Sequence, residues 1–185
     1  MGHIILVTGG SRSGKSDYAQ ARAESIPGPR AFVATCPVVD AEMAERIRRH
    51  QEKRHATQWE TVEEPVHVAS VIREAGRFRV LLVDCLTLWI NNLMFEAQQE
   101  GKELSEEDAV VICRDLREAC ALFTGTVFFV TNEVGMGIVP SDPITRKYRD
   151  LVGRCNQIIA QAADKVILVV CGIPMVVKGA RDRSD

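Results

Sequence analysis

The clearest chemical pattern in the chain is a short segment near the N-terminus that combines glycines, serines and one lysine. The stretch "GGSRSGKS" (residues 9–16) has the spacing G-x-x-x-x-G-K-[ST], with an apolar run before it and a helical pattern after it. Its glycines allow the backbone to fold its N–H groups inward around an anion. A turn that only joins a strand to a helix would not need this full spacing. The pattern therefore predicts a site for a nucleoside triphosphate, formed by Gly9, Gly10, Ser11, Arg12, Ser13, Gly14, Lys15 and Ser16.

Two side chains of this phosphate loop (residues 9–16) have specific chemical roles in the prediction. Lys15 brings a positive charge to the β- and γ-phosphates, and the Ser16 hydroxyl is a suitable ligand for Mg²⁺. A second magnesium ligand is predicted at Asp84, which ends the apolar run "RVLLVDC" (79–85). Alone, an aspartate after a strand often only caps a loop. These features together still leave open a motor, a GTPase switch, a kinase or a transferase.

The elements that position these residues can be predicted from the apolar pattern. Nearly continuous apolar runs of strand length occupy 3–9, 30–36, 79–85, 126–132 and 165–172. This pattern is typical of strands that are buried on both faces. Helical patterns occupy 15–26, 41–54, 105–123 and 144–163, and the stretch 86–104 begins as a helix and then loosens. Strands that alternate with helices predict an α/β fold with a doubly wound, mostly parallel sheet, and no linker divides residues 1–185, so we expect a single domain.

Composition excludes several classes of function. The 185 residues are 46% apolar and carry a formal net charge of −2, which gives no footprint for nucleic acid or an anionic membrane. No apolar run is long enough to span a bilayer, and the first residues do not resemble a secretion signal. The six cysteines show no metal-ligand spacing, and several lie in apolar runs. We therefore expect reduced cysteines that serve as small core residues, and a cytoplasmic protein.

Five longer stretches identify a family. In chain order they are "LVTGGSRSGKS", "EMAERIRRHQ", "LLVDCLTLWINNLMF", "TNEVGMGIVP" and "RDLVGRCNQIIAQAADKVILVVCGIP". Together they resemble the bifunctional adenosylcobinamide kinase / adenosylcobinamide-phosphate guanylyltransferase family of cobalamin biosynthesis. The resemblance implies a RecA-like P-loop NTPase fold, Mg²⁺, and GTP or ATP as substrates. It also implies two steps on the aminopropanol arm of a corrinoid: phosphorylation of its hydroxyl, then transfer of GMP from GTP through a GMP–histidine intermediate, which gives adenosylcobinamide-GDP and pyrophosphate.

A histidine is a chemically suitable nucleophile for the second step, because a neutral imidazole attacks well near pH 7 and its phosphoramidate is labile. Of the four histidines, His50 and His55 flank a basic stretch that could gather phosphate oxygens, whereas His67 looks like a helix-face residue. Without the resemblance, a solvated histidine on an amphipathic helix would be the default interpretation of His50. By the resemblance, the nucleophile falls on His50.

The resemblance also implies further contacts to the guanine nucleotide. They are expected at Ala34, Thr35, Cys36, Gln51, Glu52, Lys53, Arg54, Glu63 and Asp84. An acidic side chain such as Glu63 could accept from the N1–H and N2 donors of guanine. Asn132 and Glu133 lie in "TNEVGMGIVP" after a buried strand, where open parallel sheets place their ligands, and are candidates for handling corrinoid or nucleotide.

The family further implies a homo-oligomer, with a trimer as the expected form. Two alternatives remain open from the sequence: an enzyme with only one of the two activities, or a regulatory switch that binds GTP without transferring it.

Overall fold

The computed structural model describes residues 2–36 and 59–180, which form one layered α/β arrangement around a seven-stranded sheet. The strands in chain order are β1 (His3–Gly9), β2 (Arg30–Ala34), β3 (Trp59–Glu63), β4 (Val80–Asp84), β5 (Thr126–Val130), β6 (Lys165–Val170) and β7 (Ile173–Lys178). Their spatial order is β3-β2-β4-β5-β1-β6-β7. Every neighbouring pair is parallel except β6 and β7, which are antiparallel.

The central strands are apolar because both of their faces are covered. In β4, Val80 and Leu82 belong to one hydrophobic cluster, and Leu81 and Val83 belong to the other. Successive side chains of a strand point to opposite faces, so two packed layers need a run without alternation. The prediction of an α/β fold with a doubly wound, mostly parallel sheet is confirmed.

The helices in chain order are α1 (Lys15–Glu24), α2 (Val68–Glu74), α3 (Leu86–Gln99), α4 (Glu106–Leu122) and α5 (Pro143–Ala162). On one face of the sheet, Ala19 and Ala23 of α1 pack in the smaller cluster. Buried residues of the other helices, such as Trp89, Leu116 and Ile159, belong to the larger cluster on the opposite face. Every connection between parallel strands in the described part crosses with a helix except the step into β3, whose preceding residues lie outside it.

Local sequence explains where two of these helices begin. The Ser105 side chain accepts a hydrogen bond from the Asp108 N–H, and the Asp108 side chain accepts one from the Ser105 N–H, so the predicted serine cap is a complete capping box. Hydrogen bonds from the Ser105 hydroxyl and then from the Ser105 N–H to the Asp108 carboxylate hold the pKa of Asp108 below its ordinary value. Helix α5 begins with Asp142 as its N-cap and Pro143 in the first turn. Both helices therefore start where their own residues satisfy the first N–H groups.

Three elements were not predicted from the apolar pattern. Strand β3 ("WETVE") and helix α2 are short, and β3 lies at the edge of the sheet. Strand β7 was missed because it follows β6 directly, through a tight turn in which Cys171 and Gly172 have φ values of 53° and 80°. Two consecutive positive φ values suit a two-residue hairpin, but "CG" lacks the asparagine or aspartate that usually signals one.

The cysteine prediction holds for most positions and is wrong for one. Cys85, Cys113, Cys120 and Cys155 are free and buried, and burial raises the pKa of Cys120 to about 12. Cys171, expected in the core, is exposed because the chain turns there. The predicted helix over 41–54 lies outside the described residues. No helix within the described ranges has the length and hydropathy needed to cross a bilayer.

Candidate nucleotide and phosphoryl-transfer site

The phosphate loop connects β1 to α1 in a conformation that depends on its glycines. A Cβ on Gly9 would collide with the carbonyl oxygen of Val169, and Gly14, the N-cap of α1, has a φ of 90°. The loop is held by a hydrogen bond from Ser13 N–H to Gly10 O (3.3 Å) and by one from Gly172 N–H to Ser13 O (2.8 Å). Gly14 has no side chain, and no side chain in the described part of the chain caps α1, so the first N–H groups of the helix face the loop. This is the arrangement that binds phosphate at a helix N-terminus.

Lys15 places its charge inside this loop. Its side chain is 9% exposed, and its ammonium donates to Gly10 O at 3.2 Å. Among residues 2–36 and 59–180 it forms no ion pair with a carboxylate. A buried cation without an anionic partner is costly for a protein, and a bound phosphate removes that cost.

The neighbouring hydroxyl of Ser13 is also left without a partner. Its Oγ atom is buried and forms no hydrogen bond within the described part of the chain. Buried polar atoms are nearly always satisfied in native proteins, so an orphaned hydroxyl inside a phosphate loop is consistent with a ligand there.

The predicted residues at the ends of β2, β3 and β4 lie in one row across the sheet. Ala34 pairs with Glu63 on one side and with Asp84 on the other. Asp84 pairs in turn with Val130, which pairs with Val7 of β1. Because these strands are parallel, their carboxyl ends and the phosphate loop share one edge of the sheet. The structure thus places the sequence-predicted residues 9–16, 34–36, 63 and 84 along one edge of the sheet.

The row is fixed by a buried polar network around Thr35. The Thr35 hydroxyl donates to Cys85 O at 2.8 Å and accepts from Cys85 N–H at 2.7 Å, and the Asn92 side chain donates to Thr35 O at 2.7 Å. Thr35 itself is fully buried. Its side chain therefore joins β2 to the residue after Asp84 and holds the carboxyl ends of these two strands together.

The pKa of the Cys85 thiol depends on charges from both this row and the phosphate loop. Burial and the negative charge of Asp84 raise the pKa of the Cys85 thiol, while a hydrogen bond with Thr87 and the positive charge of Lys15 lower it. The net raised pKa means that Cys85 is a neutral thiol here.

The segment after β5 meets the phosphate loop directly. Thr131 N–H donates to Val7 O at 3.0 Å, and Glu133 N–H donates to Gly9 O at 3.2 Å. The Thr8 hydroxyl donates to Glu133 Oε1 at 2.7 Å. The Asn132 side chain donates to Thr87 Oγ1 at 2.9 Å. Both sequence candidates in "TNEVGMGIVP" thus lie beside the loop.

Asn156 of α5 is a site residue that the sequence predictions missed. The Thr131 hydroxyl donates to Asn156 Oδ1 at 2.7 Å, and Asn156 Nδ2 donates to Asn132 O at 3.1 Å. The available signal was its spacing: Asn156 lies four residues after Val152 and three before Ile159, both buried, so it is a polar residue on an apolar helix face. Such a residue needs a polar partner, and here that partner is the segment beside the phosphate loop.

The predicted nucleophile His50 lies outside the described residues. So do His55 and the predicted nucleotide contacts Gln51, Glu52, Lys53 and Arg54. Of the remaining histidines, His67 is exposed and is the N-cap residue of α2, and His3 lies 3.5 Å from Asp164 at the start of β1. His3 therefore lies at the opposite edge of the sheet, whereas His67 follows the carboxyl end of the edge strand β3 by four residues.

A solved structure shares this fold. An ATPase from the type III secretion system of pathogenic bacteria superposes with a TM-score of 0.55 at 13% identity, over 91% of this chain and 51% of the ATPase chain. At that identity the likeness concerns the fold alone. The expectation of a phosphate-loop NTPase fold is confirmed.

Three relatives are similar in sequence to this chain over nearly its whole length. A bifunctional adenosylcobalamin biosynthesis protein of Salmonella typhimurium is 40% identical over 185 aligned residues, covering 95% of this chain and 99% of its own. The protein of that description from Pseudomonas aeruginosa is 39% identical, covering 94% of this chain and 96% of its own. The one from Escherichia coli is 38% identical, covering 95% of this chain and 99% of its own.

The family itself is matched over residues 5–177, under the description "Cobinamide kinase / cobinamide phosphate guanyltransferase". That span contains the phosphate loop, Asp84, the segment after β5 and Asn156. The chain therefore belongs to the cobinamide kinase / cobinamide phosphate guanyltransferase family, and it is a transferase with both activities.

Proposed function

We propose that this chain phosphorylates the aminopropanol hydroxyl of adenosylcobinamide and then transfers GMP from GTP to the new phosphate, through a GMP adduct on His50. The observation that carries the proposal is the phosphate loop: among the described residues, the start of α1 has no side-chain cap, the buried Lys15 has no carboxylate partner and the Ser13 hydroxyl has no hydrogen-bond partner. All three are satisfied by a polyphosphate.

The donors at this edge suit Mg²⁺. The Ser16 hydroxyl at the start of α1 and the Asp84 carboxylate at the end of β4 are hard oxygen ligands, which Mg²⁺ prefers over nitrogen or sulfur. Within the described ranges no three His, Cys, Asp or Glu side chains gather around one point, so the nucleotide phosphates would supply further ligands. Bound there, the ion would neutralise charge on the phosphates while the Lys15 ammonium holds the same group from the loop.

The guanine nucleotide is proposed to lie along the row of strand ends. Ala34, Cys36 and Glu63 would contact it from the ends of β2 and β3, and residues 51–54 would contact it beside His50. Thr35, predicted as a further contact, is fully buried and would instead hold these strand ends in place. Glu63 is exposed at the end of β3, and a carboxylate can accept from a base that presents two N–H donors. Adenine does not present that pair, so this contact would favour GTP in the second step.

The corrinoid is proposed to bind on the loop between β5 and α5, residues 131–142. This loop starts at the phosphate loop and exposes Met136 (79%), Ile138 (96%) and Val139 (62%) to solvent. Its far end is fixed by Arg146, which donates to Pro140 O at 2.9 Å. An apolar surface held beside the phosphates suits a large macrocycle whose hydroxyl arm must reach them.

We also propose a single domain over residues 1–185, a cytoplasmic location and a homo-oligomer, with the trimer as the form expected from the family resemblance. Ile173, Met175 and Val177 support association, because they lie on one face of the edge strand β7 and are more than half exposed.

The experiment that tests the proposed function follows both products from one purified sample. The protein is incubated with adenosylcobinamide, Mg²⁺ and either ATP or GTP. The corrinoid products are then separated and identified by mass spectrometry. We expect cobinamide phosphate first, followed by cobinamide-GDP when GTP is present. Only one of these products would indicate a single-activity enzyme. Neither product, together with tight GTP binding, would favour a regulatory switch.

A further inference from the structure

The kinase step of the proposed function needs a group that accepts a proton from the substrate, and neither Lys15 nor Asp84 can be that group. The attacking group is an alcohol, and its proton must leave as the oxygen bonds to phosphorus. In kinases a carboxylate accepts this proton. Lys15 is a cation, and Asp84 is proposed to ligate the metal.

Of the three site carboxylates in the described part of the chain (Glu133, Asp84 and Glu63), Glu133 is the one that is hydrogen-bonded to the phosphate loop. Its N–H donates to Gly9 O (3.2 Å), and its Oε1 accepts from the Thr8 hydroxyl (2.7 Å). Thr8 is the last residue before the loop and is only 6% exposed. By contrast, Asp84 is separated from β1 by the whole of β5, and Glu63 lies on the edge strand β3.

The second carboxylate oxygen of Glu133 is left available. It has no hydrogen-bond or ion-pair partner among the described residues, although Glu133 is half-buried. The backbone just before it is held on both sides, because Asn156 binds Thr131 and Asn132, and Asn132 binds Thr87. A half-buried carboxylate with one oxygen anchored, one oxygen free and a fixed backbone is well suited to accept a proton in a defined direction.

We propose that Glu133 is the general base of the kinase step. The corrinoid hydroxyl oxygen bonds to the γ-phosphorus of the nucleotide, and its proton passes to Glu133 Oε2. The bond from the γ-phosphorus to its bridging oxygen breaks, and that oxygen leaves with the electron pair on the nucleoside diphosphate. The proton later passes to water.

The guanylyltransferase step does not need this base. Its acceptor is a phosphate oxygen that is already deprotonated near neutral pH, and its proposed nucleophile is a neutral imidazole. A change at Glu133 is therefore expected to slow the kinase step and to leave the guanylyltransferase step intact. This inference rests on the proposed function.

The test uses the full-length protein with the substitution Glu133→Gln, which keeps an oxygen to accept from Thr8 but cannot take the proton. We expect the kinase kcat to fall about 10²- to 10⁴-fold. Conversion of supplied cobinamide phosphate to cobinamide-GDP, and the GMP adduct on the protein, should stay within about twofold of wild type. Glu118→Gln, an exposed glutamate on α4, is the matched control and should change neither step.

Other outcomes overturn the inference. Equal loss of both activities would mean that Glu133 only supports the nucleotide site through Thr8 and Gly9. A kinase rate within tenfold of wild type would show that another group takes the proton. If the wild type itself makes no cobinamide phosphate but still forms cobinamide-GDP from supplied phosphate, the proposed kinase step has failed before this inference is reached.

Discussion

Lys15 is the residue expected to hold the phosphate charge, because it is buried and has no carboxylate partner in the described part of the chain. Lys15→Ala is therefore expected to weaken triphosphate binding by at least about 1.5–3 kcal/mol, roughly 10- to 150-fold in Kd. Both activities should fall with it. Titration calorimetry with GTP gives the Kd, and Lys102→Ala, an exposed lysine paired with Glu100, serves as the control. Unchanged GTP affinity would mean that the loop has a structural role only.

Asp84 is expected to act through the metal. Asp84→Asn keeps the size of the side chain but removes the charge that offsets Mg²⁺. Turnover should then need a higher Mg²⁺ concentration, whereas nucleotide binding in the absence of metal should change little. The measurement is rate against Mg²⁺ concentration, with Asp115→Asn, an exposed residue paired with Arg73, as the control. An unaltered Mg²⁺ dependence would place the magnesium carboxylate elsewhere.

Among the elements, α5 fixes the segment after β5 through Asn156. Asn156→Ala leaves the Thr131 hydroxyl and the Asn132 carbonyl without this partner, so the free energy of unfolding should fall by about 1–3 kcal/mol. Urea unfolding measures this loss. Gln157→Ala, on the exposed face of the same helix, should change stability by less than about 0.5 kcal/mol. Equal losses in the two variants would contradict a specific role for Asn156.

The loop between β5 and α5 should affect the corrinoid and not the nucleotide. Ile138→Ser removes an apolar side chain that is 96% exposed, so folding should be unaffected. We expect the KM for cobinamide to rise several-fold, while the Kd for GTP stays the same. Leu122→Ser, 74% exposed at the end of α4, is the control for loss of an exposed apolar side chain. A change in sedimentation instead of KM would assign this loop to contact between subunits.

For the whole molecule, the parallel core could be predicted because burial on both faces leaves long apolar runs, as in β4 and β5. The phosphate loop could be predicted because its chemistry is confined to a few consecutive residues. The edge strands could not: β3 is short and has no apolar run, and β7 follows β6 directly through a two-residue turn that the sequence does not signal. The link from Asn156 to Thr131 joins residues 25 positions apart, and only the packing of α5 on the sheet brings them together. The role of His50 stays a prediction, because it lies outside the described residues.

The adduct on His50 is the part of the account that one measurement tests most directly. Wild-type protein is incubated with Mg²⁺ and GTP labelled on the α-phosphate, denatured, and digested, and the labelled peptide is mapped by mass spectrometry. We expect one acid-labile, base-stable GMP adduct on His50, because neither arginine nor an ordinary lysine in "RRHQEKR" replaces a neutral imidazole.

The same assay on His50→Ala should show no adduct and no cobinamide-GDP, with some kinase activity retained, whereas His67→Ala should label like wild type. Label on His55 in both wild type and His50→Ala would move the nucleophile along the chain. Wild-type protein that makes cobinamide-GDP without any covalent label would contradict the histidine mechanism.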